Sequence, residues 1–180
     1  MRIRDEEIKK LINYAKSLGL KVYFDSKGTD ACASWAIDGS SITIFTKNNK
    51  NKLSTILSLH HEISHHLYHV KVNKRKIDQG VKKAVNLHDK NVENKVKTPI
   101  LKKHRNNIFR FEKNSAQFWP TVYKETQMKF PYWKLLAQME IDVWYYDCWA
   151  KSGMFPDKKS QSLKLKQVSV AYKKMFATQK

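Results

Sequence analysis

The stretch that decides the fold runs His60-His61-Glu62-Ile63-Ser64-His65-His66-Leu67-Tyr68-His69. It contains the spacing His-Glu-x-x-His between His61 and His65. On a helix, residues four apart lie on one face about one turn apart, so both imidazoles can reach a single zinc ion. Apolar residues at helical spacing between Leu53 and Leu67 predict that helix. The stretch therefore predicts a zinc-binding helix.

Glu62 follows the first of these histidines and is the candidate general base. Zinc with one open coordination position lowers the pKa of a bound water towards about 7. A neighbouring carboxylate can take the proton of that water and return it to a leaving amine, which is what amide hydrolysis requires. A helix that is merely rich in histidine is the alternative, since five of the seven histidines lie between positions 60 and 69.

The other histidines of the stretch receive separate interpretations. His69 follows His65 by four residues, but each such step turns about 40° around a straight helix, so His69 is not expected to share the ion. We expect it to cap the helix or lie on the surface. His60 and His66 point away from the metal and are read as packing or exposed residues. A longer three-histidine protease pattern would need histidine where the chain has Lys71.

Length and composition predict one globular domain over residues 1–180. With 41% hydrophobic residues, the chain is long enough to bury a sizeable core. It has no apolar run long enough to span a membrane and no apolar signal segment at its start, so a cytoplasmic protein is expected. Cys32 and Cys148 are far apart and form no C-x-x-C pair, which argues against a disulfide scaffold.

The chain is strongly basic, with a net charge of +19. Residues 71–113 hold 14 Lys and Arg against four acids, and residues 158–180 hold seven lysines and no acid. Such a field attracts nucleic acid or acidic partners, so Lys71–Lys113 and Lys158–Lys180 are candidate contact regions. The codon bias of an AT-rich genome is the alternative source of the lysines.

The first third of the chain predicts a helix followed by a small sheet. An amphipathic pattern over residues 5–18 ends at Gly19, as a helix would. Three extended segments follow, and an Asp38-Gly39-Ser40 turn predicts a hairpin between the last two, the segments being Leu20–Phe24, Ala31–Ile37 and Ser41–Thr46. Asn51 or Ser54 can cap the histidine-containing helix.

Residues 71–107 are polar and basic, and predict an excursion made of one helix and a loop. The aromatic-rich residues 108–155 predict core helices that break at Pro120 and Pro131. A last helix is expected over Ser162–Phe176. Its predicted buried residues are Val168, Ala171, Tyr172 and Met175.

A third zinc ligand must come from a later helix. The first candidate is Glu140, because an acid in the apolar run from Met139 to Trp149 needs a reason to be there. Asp142 lies about 200° around the same helix, so only one of the two can face the metal.

The chain resembles the ImmA/IrrE family of zinc metallopeptidases, which is common in phages and mobile elements. The resemblance rests on the His61–His65 motif and on a later segment like E-x-x-A-x-x-F or E-I-E-A-W. Two segments of this chain offer that pattern, namely Glu140-Ile141-Asp142-Val143-Trp144-Tyr145-Tyr146, which we rank first, and Glu112-Lys113-Asn114-Ser115-Ala116-Gln117-Phe118.

This resemblance implies a minimal zincin-like α+β fold: a helix, a small antiparallel or mixed three-stranded sheet, the HExxH helix and a mostly helical second half. It also implies a gluzincin-like hydrolase that cleaves a specific protein, such as a DNA-associated repressor or regulator. An SprT-like DNA-associated protease is one alternative and would use His88 or His104 as third ligand. A non-catalytic inhibitor or nucleic-acid-binding protein on the same scaffold is the other.

Overall fold

Helices make up most of the described residues, and one small sheet packs against the first two of them. The computed structural model describes residues 5–26, 32–71, 81 and 100–178. The helices are α1 (Asp5–Ser17), α2 (Lys52–Lys71), α3 (Lys102–Ala116), α4 (Trp119–Glu125), α5 (Tyr132–Ser152) and α6 (Lys158–Ala177), and the strands are β1 (Lys21–Asp25), β2 (Ala33–Trp35) and β3 (Ser41–Phe45). The α+β class is as predicted. Among these helices, none has the length and apolar character needed to cross a membrane.

The sheet is mixed, with strand order β1-β3-β2. β1 runs parallel to β3, whereas β2 and β3 form the predicted antiparallel hairpin. Gly39 takes a φ of +75° in the connecting turn, which is a conformation that glycine adopts without strain. The Ser40 N–H donates to Asp38 Oδ1 at 2.8 Å and closes the turn. β2 ends at Trp35, two residues before the end of the predicted segment Ala31–Ile37, and it lies at one edge of the sheet.

Helix α2 carries the histidine stretch through the centre of the protein. Its start is capped by Asn51, whose Oδ1 accepts the Ser54 N–H at 2.9 Å. The helix contacts α1, α3, α4 and strands β2 and β3, so most of its second half is buried. His69 is therefore only 4% exposed and packs edge-on against Trp35, and its predicted surface or capping position is wrong.

The main core lies between α1, the sheet, α2 and the start of the second half. It is built from apolar residues of several elements, among them Leu11, Ile42, Ile44, Ile56, Leu59, Ile63, Trp119, Phe130 and Leu135. His60 belongs to this core, since its ring is fully buried and packs near Trp119 and Phe130. His66 is also buried, at 8% exposure.

The second half is helical, as predicted from its aromatic spacing. Pro120 lies at the start of α4 and Pro131 caps α5, which accounts for the breaks. α5 packs along α3 and also along α6. The contact with α6 uses Val168, with Tyr172 beside it, whereas Met175 is 43% exposed and Ala171 also faces solvent. The predicted buried face of the last helix is thus only partly correct.

The basic excursion lies mostly outside the described residues. α3 already begins at Lys102, inside the range that the sequence assigned to the excursion. The helix and loop expected before it, together with His88, fall in the part of the chain that is not described.

Candidate metal centre

Three donor atoms from α2 and α3 converge on one point. Nε2 of His61 lies 2.8 Å from Nε2 of His65. Oε2 of Glu112 lies 3.3 Å from the first nitrogen and 3.4 Å from the second. The three residues form a group of the kind that can hold a metal ion, and it is the one such group in the described part of the chain.

The chemistry and spacing of this group fit zinc. Two imidazoles and one carboxylate are a common donor set of catalytic zinc sites. With metal–ligand bonds of about 2.0–2.1 Å, donors at tetrahedral angles lie about 3.3 Å apart, which is close to both Glu112 contacts. Oε2 of Glu112 is buried and has no hydrogen-bond partner in the described residues. Such an atom is expected where a cation completes the site.

The ranking of Glu140 above Glu112 as third ligand is corrected by this geometry. Glu140 lies on the side of α5 that faces α6, where its Oε1 is 4.0 Å from Lys164 Nζ and its side chain is 44% exposed. The apolar character of its segment reflects the packing of α5 between two helices. Glu112 lies on α3, which crosses α2 beside the histidines.

Aromatic packing holds His65 in place. Its ring stacks on Phe111, with centroids 4.7 Å apart and planes 2° from parallel. Trp35 of β2 lies 6.2 Å away in a stacked arrangement. Because Phe111 directly precedes Glu112, one turn of α3 places both a candidate ligand and an aromatic surface against His65.

The electrostatics favour the metal-binding forms of His65 and Glu112, whereas His61 holds a proton. Burial lowers the pKa of His65 to about 4, so its ring is neutral at pH 7. Burial opposes ionisation of Glu112, but His65 and His61 outweigh it and lower the pKa of that carboxyl. Burial also lowers the pKa of His61, whereas Glu112, Asp142 and Glu62 together raise it well above its usual value. A bound cation would replace that proton.

Glu62 lies beside the group without belonging to it. Its side chain is buried, and the Trp35 backbone N–H donates to its carboxylate. Burial, followed by repulsion from Glu112 and Asp142, raises the pKa of Glu62 to about 7. A carboxylate with such a pKa can both accept and return a proton near neutral pH.

A cavity of about 360 Å³ opens next to the donor atoms. His61 and Glu62 both line this cavity, so the candidate base and one candidate ligand are reached from the same space. The other lining residues come from the start of β2 and the residue before it, from the first half of α2 and from α5: Cys32, Ala33, Ser54, Leu57, Ser58, Gln138, Asp142, Tyr145 and Tyr146.

The sequence interpretation ranked Glu140 above Asp142 for the side of the helix that faces the metal, and it gave Tyr146 no role there. In the structure Asp142 Oδ2 lies 3.5 Å from Nδ1 of His61, and Tyr146 interacts with the Glu112 carboxylate. Together with Gln138 they are spaced four residues apart on α5. Polar residues at that spacing within an apolar helix are the signal that could have identified this face.

No protein-family model, curated protein or solved structure matches this chain.

Proposed function

We propose that this protein is a zinc metallopeptidase in which His61, His65 and Glu112 hold the metal and Glu62 is the general base. The observation that carries the proposal is the triangle of donor atoms beside a cavity that Glu62 also lines. The resemblance to the ImmA/IrrE family agrees with it, since Glu112 begins the second of the two segments that fit the family pattern. That family makes a specific, DNA-associated repressor or regulator the expected substrate class.

The chain's own residues account for the proton movements of amide hydrolysis. Zinc supplies a Lewis acid that lowers the pKa of water and polarises a carbonyl. Glu62 accepts a proton from the attacking water and then delivers it to the leaving amine. The N–H of Trp35 fixes the orientation of the Glu62 carboxylate during both transfers.

A peptide substrate is favoured by the edge strand at the cavity. The Phe45 N–H donates to the Cys32 carbonyl at 3.0 Å, so Cys32 and Phe45 form a hydrogen-bonded pair of the β2–β3 ladder. In such a ladder the next residue directs its N–H and C=O to the other side. Ala33 therefore presents its backbone away from β3 while lining the cavity. An extended peptide can add to such an edge.

The SprT-like alternative is less well supported. His104 lies on α3 but is not part of the metal-binding group, and His88 lies outside the described residues. A non-catalytic scaffold would leave the position and environment of Glu62 without a purpose.

The Glu62→Gln variant tests the proposal, because glutamine keeps the shape of the side chain and removes the proton transfer. The zinc-loaded wild-type protein and the variant are incubated with a peptide library made from a bacterial proteome, and new peptide termini are counted by mass spectrometry. We expect the variant to bind zinc normally and to cleave about 10²- to 10⁴-fold more slowly. Equal cleavage by both, or none by the zinc-loaded wild type, would overturn the proposal.

Helix α6 supports a second function, the binding of nucleic acid. The helix contains six lysines and no acidic residue. Lys159, Lys166 and Lys173 are exposed and recur every seven residues, so they lie along one side of the helix. A row of cations about 10 Å apart can follow a phosphate backbone.

Salt-dependent binding to a 30-base-pair DNA duplex tests this second function. Replacing Lys159, Lys166 and Lys173 by glutamine should reduce the slope of log affinity against log salt by about 2.7, if each lysine neutralises one phosphate. Lys151, which pairs with Asp147 at 2.6 Å, offers a matched control replacement. An unchanged slope, or no binding by the wild type at low salt, would exclude a role for α6.

A further inference from the structure

Helix α5 faces the metal group with a row of three polar residues, although it supplies no ligand to it. Gln138, Asp142 and Tyr146 are four residues apart and all line the cavity. On a helix, residues at this spacing form a stripe that turns only about 40° per step. The rest of this helix faces mostly apolar neighbours in α3 and α6. A polar stripe on such a helix calls for an explanation.

We propose that this stripe positions two of the three metal ligands: Asp142 fixes His61, and Tyr146 fixes Glu112. The inference rests on the proposed metal centre and concerns the residues that hold its ligands in position. The three residues are positioning residues, because none of them supplies a donor atom to the group.

The contact of Asp142 with His61 determines which nitrogen faces the metal. Gln138 Nε2 donates to Asp142 Oδ1 at 2.8 Å and holds the carboxylate on the cavity side. The other oxygen, Oδ2, lies 3.5 Å from His61 Nδ1. This contact favours a proton on Nδ1, and the ring then presents the lone pair of Nε2 towards His65 and Glu112.

The contact of Tyr146 with Glu112 plays the same part for the carboxylate ligand. Tyr146 interacts with the Glu112 carboxylate and lines the cavity one helical turn from Asp142, so its hydroxyl can donate to that carboxylate. A hydroxyl donor can hold one carboxylate orientation. The buried Oε2, which has no hydrogen-bond partner in the described residues, is then left to face the histidines.

His65 is held differently, which makes the role of α5 specific. Its Nδ1 is buried without a hydrogen-bond partner in the described part of the chain, and its ring is instead stacked on Phe111. Loss of the α5 contacts should therefore disturb His61 and Glu112 while leaving His65 in place.

Zinc affinity measured by competition with a chromophoric chelator tests the inference in the full chain. Asp142→Asn and Tyr146→Phe keep the side-chain shapes, and each should weaken zinc binding about 10- to 100-fold. Glu140→Gln, on the opposite side of the same helix, is the matched control and should bind zinc like the wild type. The visible absorption of the cobalt-substituted protein should also shift in the first two variants, which a merely structural role would not produce.

The outcomes separate this inference from the metal centre itself. If the wild type binds zinc and both variants match its affinity and cobalt spectrum, the positioning role is wrong and the metal centre stands. If the wild type binds no zinc, the metal centre and the inference fail together. Thermal unfolding of each metal-free variant shows whether it folds. Should Tyr146→Phe not fold, the half-buried Asp142→Asn decides alone.

Discussion

Glu112 Oε2 lies 3.4 Å from Nε2 of His65, and the residue before Glu112 stacks on the ring of that histidine. One turn of α3 thus contacts the histidine helix through both a carboxylate and an aromatic ring. This relationship couples the packing of the core to the geometry of the metal centre. It also predicts that changes in packing next to the ligands alter metal binding.

Phe111→Leu should weaken zinc binding with little loss of stability. Leucine replaces most of the buried volume, so the free energy of unfolding should fall by less than about 1.5 kcal/mol. The variant loses the aromatic ring that stacks on His65, and such aromatic pairs contribute about 0.5–1.5 kcal/mol. If this free energy is lost from zinc binding, the affinity for zinc falls about 2- to 12-fold. Phe118→Leu, which removes an aromatic contact with Tyr68 and not with a ligand, is the control. Equal affinities of the two variants would contradict the role of Phe111.

Zinc should stabilise the folded protein, because a ligand that binds only the folded state shifts the unfolding equilibrium. At a free zinc concentration 100 times the dissociation constant, the free energy of unfolding should rise by about 2.7 kcal/mol. For a chain of this length, that is a rise in Tm of about 5–10 °C. Chelation with EDTA should reverse it, and His61→Ala should show no rise. A full shift in His61→Ala would remove that residue from the site.

The buried His60 ring should make the metal-free protein less stable in acid. Burial lowers its pKa to about 4, from an ordinary value of 6.5. Between those values the unfolded chain binds a proton at His60 and the folded chain does not, so acidification favours unfolding. The stabilisation of the folded state by the neutral His60 ring is complete above pH 6.5 and is lost as the pH falls towards 4.

His60→Leu is the variant that isolates this effect. Between pH 7.5 and 5 the wild type should lose about 2 kcal/mol of unfolding free energy through this ring. The variant should lose correspondingly less over the same interval, as measured by urea unfolding in EDTA. Parallel pH profiles of the two proteins would show that His60 takes up its proton in the folded state as well.

The sequence predicted those parts of the fold that local patterns determine. The turn at Asp38-Gly39, the cap at Asn51 and the breaks at Pro120 and Pro131 each follow from the conformations that those residues favour. The pair His61 and His65 was likewise predictable, because the helix repeat alone places both on one face.

The third ligand could not be ranked correctly, because it depends on which helix crosses α2. Glu140 lies in the more apolar segment, and burial was inferred from that. The apolar character of α5 instead serves its packing between α3 and α6. Glu112, in a polar-looking helix, is brought to the histidines by tertiary packing. The burial of His69 was missed for a similar reason, since β2 and its turn cover the end of α2.

Glu112 is the proposed third ligand of the zinc site, and its replacement gives the most direct test of that site. Bound zinc can be measured by elemental analysis after dialysis against trace zinc, in the wild type, Glu112→Gln and Glu140→Gln. We predict one zinc per chain in the wild type and in Glu140→Gln, and at least a 10-fold lower affinity in Glu112→Gln, because a neutral amide replaces an anionic ligand. Full occupancy in Glu112→Gln together with loss of zinc in Glu140→Gln would contradict the proposed site.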